Sequence, residues 1–318
     1  MNAGRATGAT TLVPGPDELC QMQHLSQQVA RIDPRYLNAE ATPGELSWGW
    51  ANGVDTVERH WRCTFRCRDD AIICWESQEL PQNTRRADGT LREVEEARLI
   101  WQTHPQHFDV LNDLLAWADS QAPGARKTLT VQSADPHARP IVEAAGYTFD
   151  AEDDGWTQFN ARPLTDIPSP ELPEGYRFLT AEEVSTADAA QAHRDAWHSS
   201  TFTEAACARV QGTWPYRPDL HLFVAAPGGR LLATAIIWFD PVSRTAEFEP
   251  VGTHRDHRRQ GLGTALQLHG MSAARSAGAE VMLVACEGAE TRPAARQMYY
   301  GVGFKKLSRD LSYSKEGA

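Results

Sequence analysis

The sequence predicts an α/β (α+β) chain of two tandem domains built to one plan, each a mixed, mostly antiparallel, twisted sheet flanked by helices. Three observations predict it. The chain has 318 residues, about right for two domains, and its 41% apolar content can bury two cores. The stretch from Ala161 to Gly175 carries four prolines, which remove donors and disfavour helix, so it reads as an extended linker. The same order of elements can be traced on both sides of it. The expected organisation is therefore a Gly-, Ala- and Thr-rich disordered lead-in over 1–16, a first domain over 17–165, a linker over 166–175 and a second domain over 176–318.

In the second half, Tyr176 to Leu179 reads as a strand. Ala181 to Trp197 reads as a helix, with Thr180 as N-cap and Glu183 completing a capping box. A second helix covers Thr203 to Gln211. Leu220 to Ala225 and Leu231 to Phe239 are strands joined by a Pro227-Gly228-Gly229 turn. Thr245 to Thr253 is a strand, Gly263 to Ser276 a helix, and Val281 to Ala285 a buried apolar strand. Pro293 opens a helix to Tyr300, and Phe304 begins a last strand. In the first half, Asp17 to Ile32 is helical. Trp61 to Arg68, Ala71 to Glu79 and Leu91 to Thr103 are successive strands. Phe108 to Ser120 is a helix, Lys127 to Gln132 a strand, and Ala138 to Ala145 a helix ending at Gly146. The order suggests an internal duplication of about 150 residues.

Composition excludes several classes. The net charge of −11, with basic residues concentrated only at Arg255 to Arg259, argues against a nucleic-acid binder. The six cysteines include no CxxC pair, so no disulfide framework or metal set is expected, and reduced thiols fit a cytoplasmic protein. No signal peptide and no membrane-crossing run is recognisable.

The informative segment joins a strand to a helix: Thr253-His254-Arg255-Asp256-His257-Arg258-Arg259-Gln260-Gly261-Leu262-Gly263-Thr264. A helix N-terminus leaves backbone N–H groups unpaired, and its dipole favours anions. Glycines at 261 and 263 let a diphosphate approach that backbone, and Arg258 and Arg259 add positive charge. Gln260, Gly261, Leu262, Gly263 and Thr264 are the expected contacts, the Thr264 hydroxyl included. Leu266 stands where a dinucleotide fingerprint would place its third glycine, and no Gly-Lys-Ser/Thr follows, so neither of those nucleotide folds fits.

The run Arg258-x-x-Gly261-x-Gly263 resembles the acyl-CoA loop, motif A, of the GNAT superfamily of N-acyltransferases. Met298-Tyr299-Tyr300-Gly301-Val302-Gly303-Phe304 resembles its motif B. The resemblance covers the second half, and the layout is similar to tandem GNAT proteins such as the mycothiol synthases. It implies two tandem GNAT-like domains and acetyl-CoA as co-substrate. The acceptor it implies is a primary amine of a small molecule, with neither nucleic acid nor membrane as partner, in a monomer or homodimer. It implies Tyr299 as general acid toward the departing thiolate, and Glu247 or Glu249, on one strand face, as base. Val251, Gly252 and Thr253 would hold the pantetheine, Gly252 suiting a bulge that splays the strand. Arg292 stands where the family often has Asn; either a coenzyme contact is altered or Arg292 reaches the 3′-phosphate. The acceptor pocket would draw on His193, Trp197, His198 and Tyr216; a solvated helix end with satisfied histidines is the competing reading. A longer acyl donor, a thiol-precursor acceptor and a non-catalytic acyl-CoA sensor remain open. In the first half, Leu111 and Asp113 align with the two glycines and Val142 with Tyr299, so that half is expected to have lost coenzyme chemistry. Its seven tryptophans, Trp48 to Trp156, are expected to pack.

Overall fold

A computed structural model describes residues 15–68, 71–85, 91–151, 155–198, 202–291 and 293–317. The expected lead-in falls almost wholly outside them, as does Arg292. The chain forms two compact units whose membership departs from the chain order expected of them. The first gathers the described residues of Met1–Leu46, Gly53–Gln158 and Ser308–Ala318; the second gathers Ser47–Asn52 and Phe159–Leu307.

In the first unit, α1 (Pro16–Ile32) is followed by α2 (Pro43–His60), β1 (Trp61–Arg68), β2 (Ala71–Glu79), a β3 (Gln82–Arg85) and β4 (Leu91–Val94) hairpin, and β5 (Ala97–Thr103). Then come α3 (Leu111–Gln121), β6 (Lys127–Gln132), α4 (Ala138–Ala144) and β7 (Thr148–Phe149). The sheet runs β1-β2-β5-β6 and continues with the C-terminal strand, Asp310 to Lys315 pairing antiparallel with Gln132 to Lys127. Leu99, Trp101, Leu114, Leu129, Val131 and Tyr313 form its core against α3 and α4. The long third strand expected from Leu91 breaks at Glu95-Glu96, and its first part pairs back on β3 instead.

The second unit opens with β8 (Thr157–Pro163) and β9 (Arg177–Thr180). Then follow α5 (Thr186–Trp197), α6 (Glu204–Gln211), β10 (His221–Ala225), β11 (Leu231–Asp240) and β12 (Thr245–Thr253). α7 (Leu262–Ala277), β13 (Val281–Glu287), α8 (Ala294–Gly301) and the start of β14 (Lys305–Lys315) complete it. Its strand order is β8-β13-β12-β11-β10-β9. The pairs among β9 to β12 are antiparallel, and β12·β13 is parallel. Phe248, Leu266, Met271, Val284 and Phe304 pack between sheet and α7, while Phe202, Val210, Phe223, Ile236 and Trp238 pack on the α5–α6 side. Each large side chain so buried contributes about 1.5–3 kcal/mol before entropy is counted.

Two expectations are corrected here. α5 starts at Ser185, whose hydroxyl accepts from Asp188 N–H, rather than at Thr180. The Glu183 carboxylate does accept from Thr180 N–H, but Thr180 Oγ1 accepts from Glu182 N–H, and the two bonds close only a turn. The proline-rich stretch is extended, yet its first residues, Ala161 to Pro163, belong to strand β8, where Arg162 is buried. Pro163, unable to donate to a ladder, ends it.

Among the described residues, no helix is long and apolar enough to cross a membrane, and no group of three or more His, Cys, Asp and Glu is placed to hold a metal.

Glu76 of β2 is fully buried between Thr64 and Trp101, and neither carboxylate oxygen has a hydrogen-bond partner among the described residues. Burial pushes its carboxyl well above the ordinary range; Arg66 pulls it back and Asp119 pushes it further up. An unfolded Glu titrates near 4.3. Above that pH the unfolded chain sheds a proton that the folded chain keeps, so this group removes stability as pH rises. Glu76→Gln is therefore expected to raise the melting temperature of this unit at pH 7.5, by roughly 2–4 °C per kcal/mol relieved. Calorimetry at pH 4 should show almost no difference; an equal effect at both pH values would contradict the assignment.

Candidate functional site

The site begins where β12 leaves β13. Thr245, Ala246 and Glu247 pair with Val281, Met282 and Leu283, and the register ends there. On its far side β13 is held by Asn160 of β8, whose Nδ2 donates to the Val284 carbonyl and lies 3.3 Å from the Cys286 sulfur. On the β11 side the register shifts once, so that Glu249 and Pro250 together oppose Ile236. The bulge thus lies at Glu249–Pro250 and not at Gly252. Gly252 answers a different need: a Cβ there would come within 2.4–2.7 Å of the Trp197 ring, so its bare backbone admits the indole.

Past Thr253, His254 is buried, its N–H bonded to the Leu232 carbonyl. Its Nδ1 accepts from Asp256 N–H, and Arg230 meets its Nε2 at 2.7 Å. Burial and then Arg230 hold the imidazole below its usual pKa. Arg258 donates to the Thr253 carbonyl at 3.3 Å and to the Ala196 carbonyl at 3.0 Å, clamping the loop to the end of α5. Arg259 is exposed at φ 64°, and Gln260 is exposed. Gly261 caps α7 at φ 80°, a left-handed conformation suited to glycine, and a Cβ there would meet open space. Among the described residues no side chain caps α7, and its first turn has no acid. Its leading N–H groups therefore have no intrahelical partner. Leu262 is buried beneath the turn, and Thr264 is exposed. At Gly263 a Cβ would lie 3.1 Å from Thr253 Oγ1 and 3.5 Å from Met298 Sδ, so this glycine lets the helix start sit against the end of β12.

Tyr299 lies on α8, 6% exposed, edge-on to Phe304. Burial, then the charges at Glu249 and Cys286, raise its phenol well above the ordinary value. Tyr299 and Glu249 are thus near enough to feel each other. Glu247 is buried opposite Trp238, while Glu249 is partly exposed at the bulge. The C-terminal end of α8 is gripped by Arg162, whose Nη1 donates to the Val302 carbonyl and reaches Met271 Sδ at 3.2 Å. Sequence reasoning missed Arg162 by reading it into the proline-rich stretch, and gave Asn160 no role; the alternation Phe159-Asn160-Ala161-Arg162 before a proline was the available signal.

Of the expected acceptor residues, His193 is buried among Trp197 (4.4 Å, stacked), Phe202 (4.3 Å) and Trp48 (5.2 Å). Burial pulls it down to about 4, so it stays neutral near pH 7. Tyr216 is tied to His221 Nδ1 at 3.0 Å. Trp197 and His198 remain exposed at the end of α5. Trp48 comes from α2, an element the sequence reading lacked. Three glycines weaken the helical signal of α2, although Thr42, Pro43 and Glu45 form a recognisable start, with Thr42 Oγ1 accepting from Glu45 N–H.

The first unit has a comparable parting of strands, at Leu99 and Leu129, but its own chain fills it. Trp101 Nε1 donates to the Thr130 carbonyl at 3.0 Å. Asn38 N–H donates to Gln102 Oε1 at 3.0 Å, and Asn38 Nδ2 to Thr130 Oγ1 at 3.2 Å. The space left among Tyr36, Asn38, Trp101 and Gln132 is about 10 Å³, room for about one water. Asp113 stands in the first turn of α3, and Leu111 is buried at its start.

Residues 187–304, which span this parting of strands and the α7 loop, match the model of the acetyltransferase (GNAT) family. This part of the chain is similar to the GNAT acetyltransferases. Outside the family model, a mycothiol acetyltransferase of Thermobispora bispora is 30% identical over 171 residues, 48% of this chain and 55% of that protein. The chain thus spans about half the length of that curated relative. Among solved structures, a tandem GNAT protein from the clavulanic acid biosynthesis pathway aligns over 98% of this chain and 99% of its own, at 13% identity and a TM-score of 0.61. A GCN5-related N-acetyltransferase from Sphaerobacter thermophilus aligns over 97% and 95%, at 17% identity and a TM-score of 0.58. The fold is that of the tandem GNAT proteins.

Gly252→Ala should force Trp197 off the strand and cost about 1–2 kcal/mol in urea unfolding. In a Trp197→Ala background the same change should cost under about 0.5 kcal/mol. Equal costs in both backgrounds would show that the indole does not need the bare backbone.

Proposed function

We propose that the GNAT domain transfers the acetyl group of acetyl-CoA to a primary amine of a small molecule by direct attack. The observation that carries this reading is the uncapped, acid-free start of α7 opening beside the parting of β12 from β13. The residues there fit the coenzyme. The N–H groups of Gly261, Leu262, Gly263 and Thr264 would bind the diphosphate, with the exposed Arg259 adding charge. Arg258 serves by holding the loop, and Val251 to Thr253 would take the pantetheine along the unpaired side of β12. Acetyl-CoA supplies the activated acyl group and a thiolate leaving group.

Glu249 is the better base of the two carboxylates, since it is partly exposed at the bulge, whereas Glu247 is buried beside it. In this scheme Glu249 takes a proton from the bound ammonium, and the neutral amine then attacks the thioester carbon as the C–N bond forms. The C–S bond breaks, and Tyr299 gives its proton to the departing sulfur. A phenol held protonated by burial suits that task across the neutral range. The Val251 N–H, the first donor past Pro250, would receive the charge growing on the carbonyl oxygen. The first unit, with its strand gap filled by Asn38 and Trp101, is read as non-catalytic. The likeness to a mycothiol acetyltransferase adds amines on thiol-bearing precursors to the acceptors worth screening.

A panel of primary amines with acetyl-CoA, followed by thiol release, tests the proposal. Glu249→Gln and Tyr299→Phe should each lower kcat by about 10²–10⁴ while acetyl-CoA still binds in calorimetry. Unchanged turnover in both variants would sink the assignment of roles; coenzyme uptake with no amine turned over would point to an acyl-CoA sensor.

A further inference from the structure

Trp238 occupies the middle of β11, 2% exposed, facing Glu247. Beside it β12 places two residues, Glu249 and Pro250, against Ile236 alone. A bulge interrupts the ladder, and a backbone carbonyl left inside it needs another donor. A side chain supplies one: Trp238 Nε1 donates to the Glu249 carbonyl oxygen at 2.5 Å.

The indole is itself braced. The Tyr216 ring meets it edge-on, at 6.3 Å and 69°. The Tyr216 hydroxyl shares a hydrogen with His221 Nδ1 at 3.0 Å, and His221 Nε2 lies 3.3 Å from Thr234 Oγ1. His221 is fully buried, and burial pulls it down to about 3, so the imidazole stays neutral and these bonds do not change near pH 7. The chain Thr234–His221–Tyr216 therefore backs Trp238 with groups that keep one protonation state.

We propose that Trp238, braced by Tyr216, His221 and Thr234, is a positioning residue for acyl transfer: its N–H fixes the Glu249–Pro250 peptide, and so aims the Glu249 carboxylate and the Val251 N–H at the same acyl group. The inference rests on the acetyl-transfer reading above. It gives Tyr216 a task other than acceptor contact, and it explains why a polar chain is built into the core on this side of the sheet.

The test uses acetyl-CoA carrying ¹³C at the thioester carbonyl, bound to the full chain and observed by isotope-edited infrared spectroscopy. The wild-type complex should show the carbonyl band below that of free acetyl-CoA. Trp238→Phe, which lacks the N–H, should return the band at least half of the way to the free value. It should lower kcat about tenfold or more and change the acetyl-CoA dissociation constant less than about threefold, because the diphosphate is held elsewhere. Benzothienylalanine incorporated in place of Trp238 keeps the shape of the indole without its N–H, and should behave like Trp238→Phe even if the latter folds poorly. A band identical in the wild type and the benzothienylalanine protein overturns the inference alone. A wild type that takes up no acetyl-CoA in calorimetry overturns the acetyl-transfer reading, and this one with it.

Discussion

Among the described residues, β12 has no partner on its β13 side after Glu247, and α7 opens next to it with backbone N–H groups that no described side chain caps. An edge of that kind inside a sheet is costly unless something bonds to it. In this domain the neighbouring elements are arranged to keep the edge available. Asn160 holds β13 from the other side, Arg258 ties the loop to α5, and Trp238 takes up the carbonyl that the bulge releases. Each of these is a hydrogen bond that fixes one wall of the gap without crossing it.

The first unit shows the alternative. There the same parting of strands is bridged by Trp101 and filled by Asn38, whose amide and backbone satisfy the groups that the gap exposes. Its helix α3 begins with a buried Leu111 and an acidic Asp113, and so offers an anion little. The sequence signalled this difference, because two side chains replace two glycines. It did not signal the filling, because Asn38 and Gln102 lie 64 residues apart.

What was legible in the sequence was local. The glycine loop, the alternating strands of the second half and the tyrosine on α8 all depend on neighbours within a few residues, and periodicity or turn chemistry reports those directly. The start of α5 was misread because two capping patterns follow each other, and the first closes a turn only. What escaped were contacts between distant segments. The end of β8, Ala161 to Pro163, looks like linker until β13 is beside it, and α2 looks unstructured until the ring of Trp48 meets His193 and Phe202. Gly252 could be seen to matter, but not that Trp197 was the reason. His193 had the right chemistry for a pocket but is buried against Trp48, Trp197 and Phe202, while Tyr216 is half-buried with its hydroxyl bonded to His221.

The central claim is that unpaired N–H groups at the head of α7 grip the coenzyme's diphosphate. Amide hydrogen exchange at Leu262, Gly263 and Thr264, with and without saturating acetyl-CoA, tests it most directly. The account predicts that exchange at these positions slows about tenfold or more in the complex. Unchanged exchange there, in protein shown by calorimetry to be saturated, would mean that the coenzyme is held somewhere else.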